Sequence, residues 1–155
     1  AESEGWLGGQ RVVLVGFSKG GVCVNQIVSE MGAATFGDDP GSQLLRRVSE
    51  VHYVDAGLNC RGAYLTQHII EMAAQSREQN AFGAPPKVFL HGTPRQWDAK
   101  ARPWVVQEKD RMAKMLREEG VEVVERMYFE GEKPTLSMHF RCLDVFDPTE
   151  GTTPT

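Results

Sequence analysis

The chain of 155 residues has room for one domain with a sizeable core but not for two. Its 41% apolar and 25% charged residues are those of an ordinary globular protein, and no apolar run is long enough to cross a bilayer, so no transmembrane segment is expected. With 17 basic against 21 acidic side chains the net charge is −4, poor equipment for a phosphate backbone, and no nucleic-acid partner is expected.

The three cysteines, Cys23, Cys60 and Cys142, are widely and irregularly spaced. They form no disulfide framework and no metal knuckle, which points to a reducing, intracellular compartment, with each thiol isolated and buried. The start AESEGWLGG carries no initiator Met or targeting signal and reads as an interior piece of something longer.

The first strand is RVVLVGF, apolar almost throughout, as for a parallel strand covered on both faces. After Gly20-Gly21, the residues Val24, Ile27, Val28 and Met31 recur at helical spacing, with Gly32 as a stop. The polar run FGDDPGSQLLRR reads as a connection to a second strand, VHYVDAG. Leu65, Ile69, Met72 and Ala73 mark one face of the next helix, and REQNAFGAPP reads as a loop. KVFLHGT is the third strand, and PRQWDAKARP leads to a helix striped by Val105, Met112, Met115 and Leu116 and stopped by Gly120. VEVVERMYF is a fourth strand, mixed in character and so nearer an edge; SMHFRCLDVF opens a last short helix, and DPTEGTTPT frays.

Strands alternating with helices predict an α/β fold, a mostly parallel sheet flanked by helices on both faces. In such sheets chemistry gathers at the carboxyl ends of the strands. Ser18, Asp55, Asp98 and His139 fall at or beyond those ends.

Gly16-Phe17-Ser18-Lys19-Gly20 matches G-x-S-x-G, in which a sharp strand-to-helix turn lifts a serine above the sheet and a side chain at either glycine would collide with backbone. The Lys19 amide is then one oxyanion donor. The bland alternative is a serine chosen only because the turn is tight. GFSKGG lacks the spacing of a nucleotide phosphate loop and of a dinucleotide fingerprint, and no cofactor is expected. His139, after the fourth strand, is the candidate base. His52, His68 and His91 fit packing or surface roles, and the four histidines repeat no metal-ligand spacing, so no metal is expected. Asp98 is the preferred acid and Asp55 the alternative, which otherwise ties down its own DAGLN turn. Trp97, Trp104, Tyr128 and Phe129 read as core rather than pocket lining.

These residues together resemble the C-terminal half of an α/β-hydrolase domain, with GFSKG similar to its nucleophile elbow, KVFLHGT to the strand before the acid loop, and EEGVEVVERMYFEGEKPTLSMHF to the closing helix, strand and histidine loop. GFSKGG followed by NQ, YVDAG, TPRQWDAKARPW and HFRCLDVF look most like an uncharacterised, mainly eukaryotic group of α/β-hydrolase-like proteins associated with mitochondria. The resemblance implies Ser18 as nucleophile, His139 as base and Asp98 as acid, acting on an ester, thioester or amide, with a small-molecule acyl substrate and a mitochondrial location. It departs from the common hydrolase pattern at Arg95, where an acid often stands, and at Phe140, where a small residue often follows the histidine. It also implies several strands ahead of the elbow, one supplying the second oxyanion donor, from a missing N-terminal half or a partner subunit. The expected domain is a partial α/β-hydrolase-like unit over residues 1–147 with a flexible tail over 148–155. The alternative function is a non-catalytic subunit that keeps the architecture for structure or interaction.

Overall fold

The computed structural model describes residues 10–33, 39–80 and 84–149. Its elements in chain order are β1 (Val12–Phe17), α1 (Gly20–Ala33), α2 (Pro40–Arg46), β2 (Val48–Val54), α3 (Gln67–Asn80), β3 (Lys87–Gly92), α4 (Pro103–Glu118), β4 (Val123–Met127) and α5 (Leu136–Val145). The four strands form one sheet in the order β1-β2-β3-β4, every neighbouring pair parallel. The α/β architecture is therefore as the sequence predicts.

Helix α2 lies in a stretch that composition alone assigns to a connection. Asp39 caps it by accepting from the Ser42 amide, and Pro40 supplies a first-turn residue that needs no amide partner, so a polar run becomes a short helix. At the other end of the chain, Thr135 caps α5 through the Met138 amide. Asp147 accepts from the amide of Thr149, the last described residue; the rest of the expected tail, 150–155, lies outside the described residues, as does WLGG near the start.

Alternation along each strand divides the side chains between two faces. Val51, Tyr53, Val88 and Leu90 meet Val24, Val105, Met112 and Leu116 of α1 and α4 in the principal core. The opposite face carries Glu50, His52, Phe89 and His91, and Phe146, just past α5, packs edge-on against both histidines. Among the described residues strand β1 is an edge of the sheet, and Val15 is 45% exposed, so β1 is not covered on both faces as its all-apolar reading expects. Cys142 is buried as expected, whereas Cys23 and Cys60 are exposed.

The polar residues of that second face make one continuous chain whose proton positions follow from its ends. Arg11 pairs with one oxygen of the buried Glu50 carboxylate, and the other oxygen accepts from His52 Nε2–H at 3.2 Å. His52 Nδ1 is then an acceptor for His91 Nε2–H at 3.1 Å, and His91 Nδ1 accepts the Tyr128 hydroxyl at 2.9 Å. Both imidazoles are neutral in this arrangement. Burial pushes His52 below its ordinary value, and burial with the neighbouring His52 and Arg126 pushes His91 down to about 3.

The β1–α1 turn is tight at one glycine and open at the other. A Cβ on Gly16 would lie 2.8 Å from both the Gly20 carbonyl oxygen and Val24 Cγ2, so only glycine fits. Gly20 faces open space, which corrects the expectation that both flanking glycines are sterically required; Gly21 is the second close contact, 3.1 Å from Ala56 Cβ. Gly16→Ala is accordingly expected to cost about 1–3 kcal/mol of stability by overpacking. Gly20→Ala, at a helix start with room for the methyl, is expected to be neutral or to add up to about 1 kcal/mol. Denaturant melts of the two variants beside the parent chain measure the contrast.

The histidine chain predicts acid sensitivity. As pH falls below about 6.5 the unfolded chain protonates both histidines while the folded one leaves His91 neutral down to about 3, so stability falls through that window by up to about 1.4 kcal/mol per pH unit for each such histidine. In denaturant titrations between pH 7 and 5, His91→Gln is expected to show a shallower loss than the parent chain. Equal slopes would contradict a neutral buried His91.

Candidate functional site

Three strand ends and one helix meet at the carboxyl edge of the sheet. Strand β1 ends at Phe17, and Ser18 follows with φ at 55°, its amide donating to the Val54 carbonyl so that the turn is pinned to the tip of β2. A non-glycine residue in the left-handed region stores strain, and such strain collects at functional turns. The turn then winds directly into α1 through Gly21 to Ser18 and Val22 to Lys19 backbone bonds. Among the described residues the Lys19 and Gly20 amides have no protein acceptor, so both are open donors at the first turn of α1.

Asp55 follows β2 in the same strained manner, with φ at 44°, and its amide donates to the His91 carbonyl. Its carboxylate is fully buried. Oδ1 accepts from the Thr93 amide at 2.8 Å, and Oδ2 accepts from the Thr93 hydroxyl at 3.1 Å and from His139 Nδ1–H at 2.6 Å. Burial pushes the carboxyl above its ordinary value, while the bonds from His139 and Thr93 pull it back. With every partner donating, the arrangement suits the ionised form.

His139 sits in the first turns of α5, the short helix expected over SMHFRCLDVF, rather than in the histidine loop that the hydrolase resemblance implies. Asp55 fixes its Nδ1–H tautomer, which leaves Nε2 as the free, basic nitrogen. The Phe17 ring stacks on the imidazole at 4.5 Å between centroids, and Phe140 meets it edge-on at 5.4 Å. Phe140 itself is 56% exposed and leans toward Phe17 at 6.2 Å. One turn on, the buried Cys142 thiol is pushed up to about 12 by burial and the Asp55 charge, which keeps it protonated and unreactive at neutral pH.

The structure thus brings Asp55 and His139 together and places Ser18 beside Phe17, the residue stacked on that histidine. It does not join Ser18 to His139: among the described residues neither the Ser18 hydroxyl nor His139 Nε2 has a hydrogen-bond partner, and no hydrogen-bonded Ser-His-Asp triad is formed. Asp98, the acid preferred from sequence, is not at the histidine. Its carboxylate caps its own loop by accepting from the Lys100 and Ala101 amides, and its carbonyl accepts from Arg102. The other Asp55 expectation, a bond within its DAGLN turn, is replaced by the longer-range clasp on Thr93. That loop is held instead by Glu108, which accepts from the Gly62 and Ala63 amides, by Trp104 Nε1–H on the Leu58 carbonyl, and by Asn25, which links the Ala63 carbonyl to the Tyr53 hydroxyl.

Thr93 and Phe17 are the residues that sequence reasoning missed. The threonine of HGT was legible as part of a strand end, but the two hydrogen bonds it donates to Asp55 depend on the β2–β3 register. Trp97 and Trp104 pack against the core as expected, and Phe129 lies under the Arg141 guanidinium. Among the described residues no group of three or more His, Cys, Asp or Glu is placed to hold a metal ion, and no helix is long and apolar enough to cross a membrane.

Comparison with known proteins agrees with the mitochondrial resemblance. The chain is 32% identical over 139 residues to the Danio rerio protein named mitochondrial protein C2orf69 homolog, covering 89% of this chain and 38% of that protein. It is 28% identical over 142 residues to the Mus musculus protein of the same name, covering 90% and 36%, and 26% identical over 133 residues to the Homo sapiens mitochondrial protein C2orf69, covering 86% and 33%. The chain therefore spans about a third of the length of these relatives. No solved structure matches it significantly. The C2orf69 family model matches residues 2–122, from before the strained serine turn to the start of the fourth strand, and the chain belongs to the C2orf69 family.

Proposed function

We propose that this chain carries the catalytic half of a serine hydrolase acting on an ester, thioester or amide. The observation that supports the reading is the buried Asp55–His139 pair, set at the strand ends beside a serine at φ 55°. Ser18 attacks the acyl carbonyl, His139 Nε2 takes its proton and returns it to the leaving group, and Asp55 holds the imidazole and stabilises its charged form. The Lys19 amide donates to the oxyanion. Asp55, rather than Asp98, is the acid of this proposal. Water then releases the acyl group. This reading requires the Ser18 hydroxyl and His139 Nε2 to come within hydrogen-bond reach when a substrate arrives.

The rest of the longer family chain, or a partner subunit, supplies the strands beyond β1 and the second oxyanion donor. The relatives' names favour a mitochondrial location for this protein.

One observation favours a second reading, a non-catalytic structural or interaction subunit. Phe17 covers one face of the imidazole and no bond joins serine to histidine, as in a site whose elbow persists only as a turn.

A serine-reactive fluorophosphonate separates the two readings on the full-length protein. The catalytic reading expects labelling that Ser18→Ala abolishes; a folded full-length protein with no labelling supports the subunit reading. Asp55→Asn is expected to slow labelling by about 10³–10⁴-fold, since the amide stabilises the wrong tautomer. Asp98→Asn is expected to leave the rate within a few-fold. Rates that depend on Asp98 and ignore Asp55 would overturn the assignment of the acid.

A further inference from the structure

A cavity of about 580 Å³ lies far from the strand tips, between the sheet and the C-terminal halves of α1, α3 and α4. Its walls are apolar, formed among others by Met31, Val51, Ile70 and Leu116. Helix α3 is the reason for the space. It rests on α1 where a Cβ on Gly32 would come within 3.0 Å of the Ala73 backbone, and between Ile70 and Arg77 it presents only the small side chains of Ala73 and Ala74 to the gap. Interiors rarely leave voids much larger than a water molecule, and this volume falls in the range of roughly 300–1,000 Å³ typical of small-molecule sites.

Polar groups at the wall give the cavity a direction. Arg46, Arg77 and Glu119 line it. Arg77 has no ion pair among the described residues, and its Nε is buried without a hydrogen-bond partner. A guanidinium left in that state is short of an anion, and its fork matches a carboxylate. Glu119 on the same wall disfavours a second negative charge, so the fit is to a monoanion.

We propose that this cavity binds a single-chain aliphatic carboxylate, its tail against the Met31, Ile70 and Leu116 wall and its head group on Arg77. The site is separate from Ser18, Asp55 and His139, which stand at the opposite ends of the strands, and it holds whether or not that pair is catalytic.

Isothermal titration of the full-length protein with octanoate, decanoate and dodecanoate, each below its micelle concentration, tests the proposal. One-to-one binding is expected, tightening by about three- to fourfold per methylene as the tail is buried. Dodecanol is expected to bind about tenfold or more weakly than dodecanoate. Arg77→Gln should bring dodecanoate down to the dodecanol level and leave dodecanol unchanged. Ala74→Phe, which fills the cavity, should weaken both ligands while keeping a cooperative melt. Absence of dodecanoate binding to the parent protein, affinity that ignores chain length, or equal dodecanoate affinity in Arg77→Gln would overturn it.

Discussion

A carboxylate with no access to water must be met by donors on both oxygens, and the way Asp55 is met organises this end of the molecule. Its three donors come from the tip of β3 and from α5, while its own amide reaches back to the β3 carbonyl of His91. The pairing therefore fastens the sheet to the helix that carries His139. Loss of the β2–β3 register by one residue would turn Asp55 to the other face and strand the charge. Ser18 joins the same knot from β1 by its amide bond to Val54.

The opposite demand, many donors and acceptors with few charges, is met on the second face. The Glu50–His52–His91–Tyr128 chain crosses from β2 to the end of β4 with each proton position dictated by its neighbour. Phe89 stacks on His52 at 4.4 Å and Phe146 closes the far side, so the polar chain is enclosed by aromatic rings. A fully satisfied network of this kind specifies how the tail past α5 seats on the sheet, and its neutrality depends on the surrounding apolar cover.

Much of the architecture was legible because it rests on local signals. Four β-branched runs and three amphipathic stripes sit close to where the sequence places them, and Gly120 follows α4 as expected, whereas Gly32, read as a stop, lies inside α1. The features that were not legible depend on through-space neighbours. Chain position and resemblance favour Asp98 over Asp55 as the acid; only the folded geometry shows Asp98 occupied by its own loop amides and Asp55 facing His139. Helix α2 was hidden because Asp39-Pro40 signals a helix start and a turn with the same letters. The edge position of β1 was hidden because an apolar strand looks alike in the middle of a sheet and at its border; its run of valines says how much cover it needs, not which neighbour provides it. The exposed Leu136, Phe140 and Leu143 along α5 belong to the same category.

The strictly sequential strand order has a kinetic side. Each strand pairs with the one made just before it, so no strand must wait for a distant partner, and every pairing closes a loop of similar length over one crossover. During synthesis these four strands can pair in the order in which the ribosome delivers them. His139 is the exception. It meets Asp55 across 84 positions, after the four strands described are in hand, so a helix made after the sheet completes the buried pair.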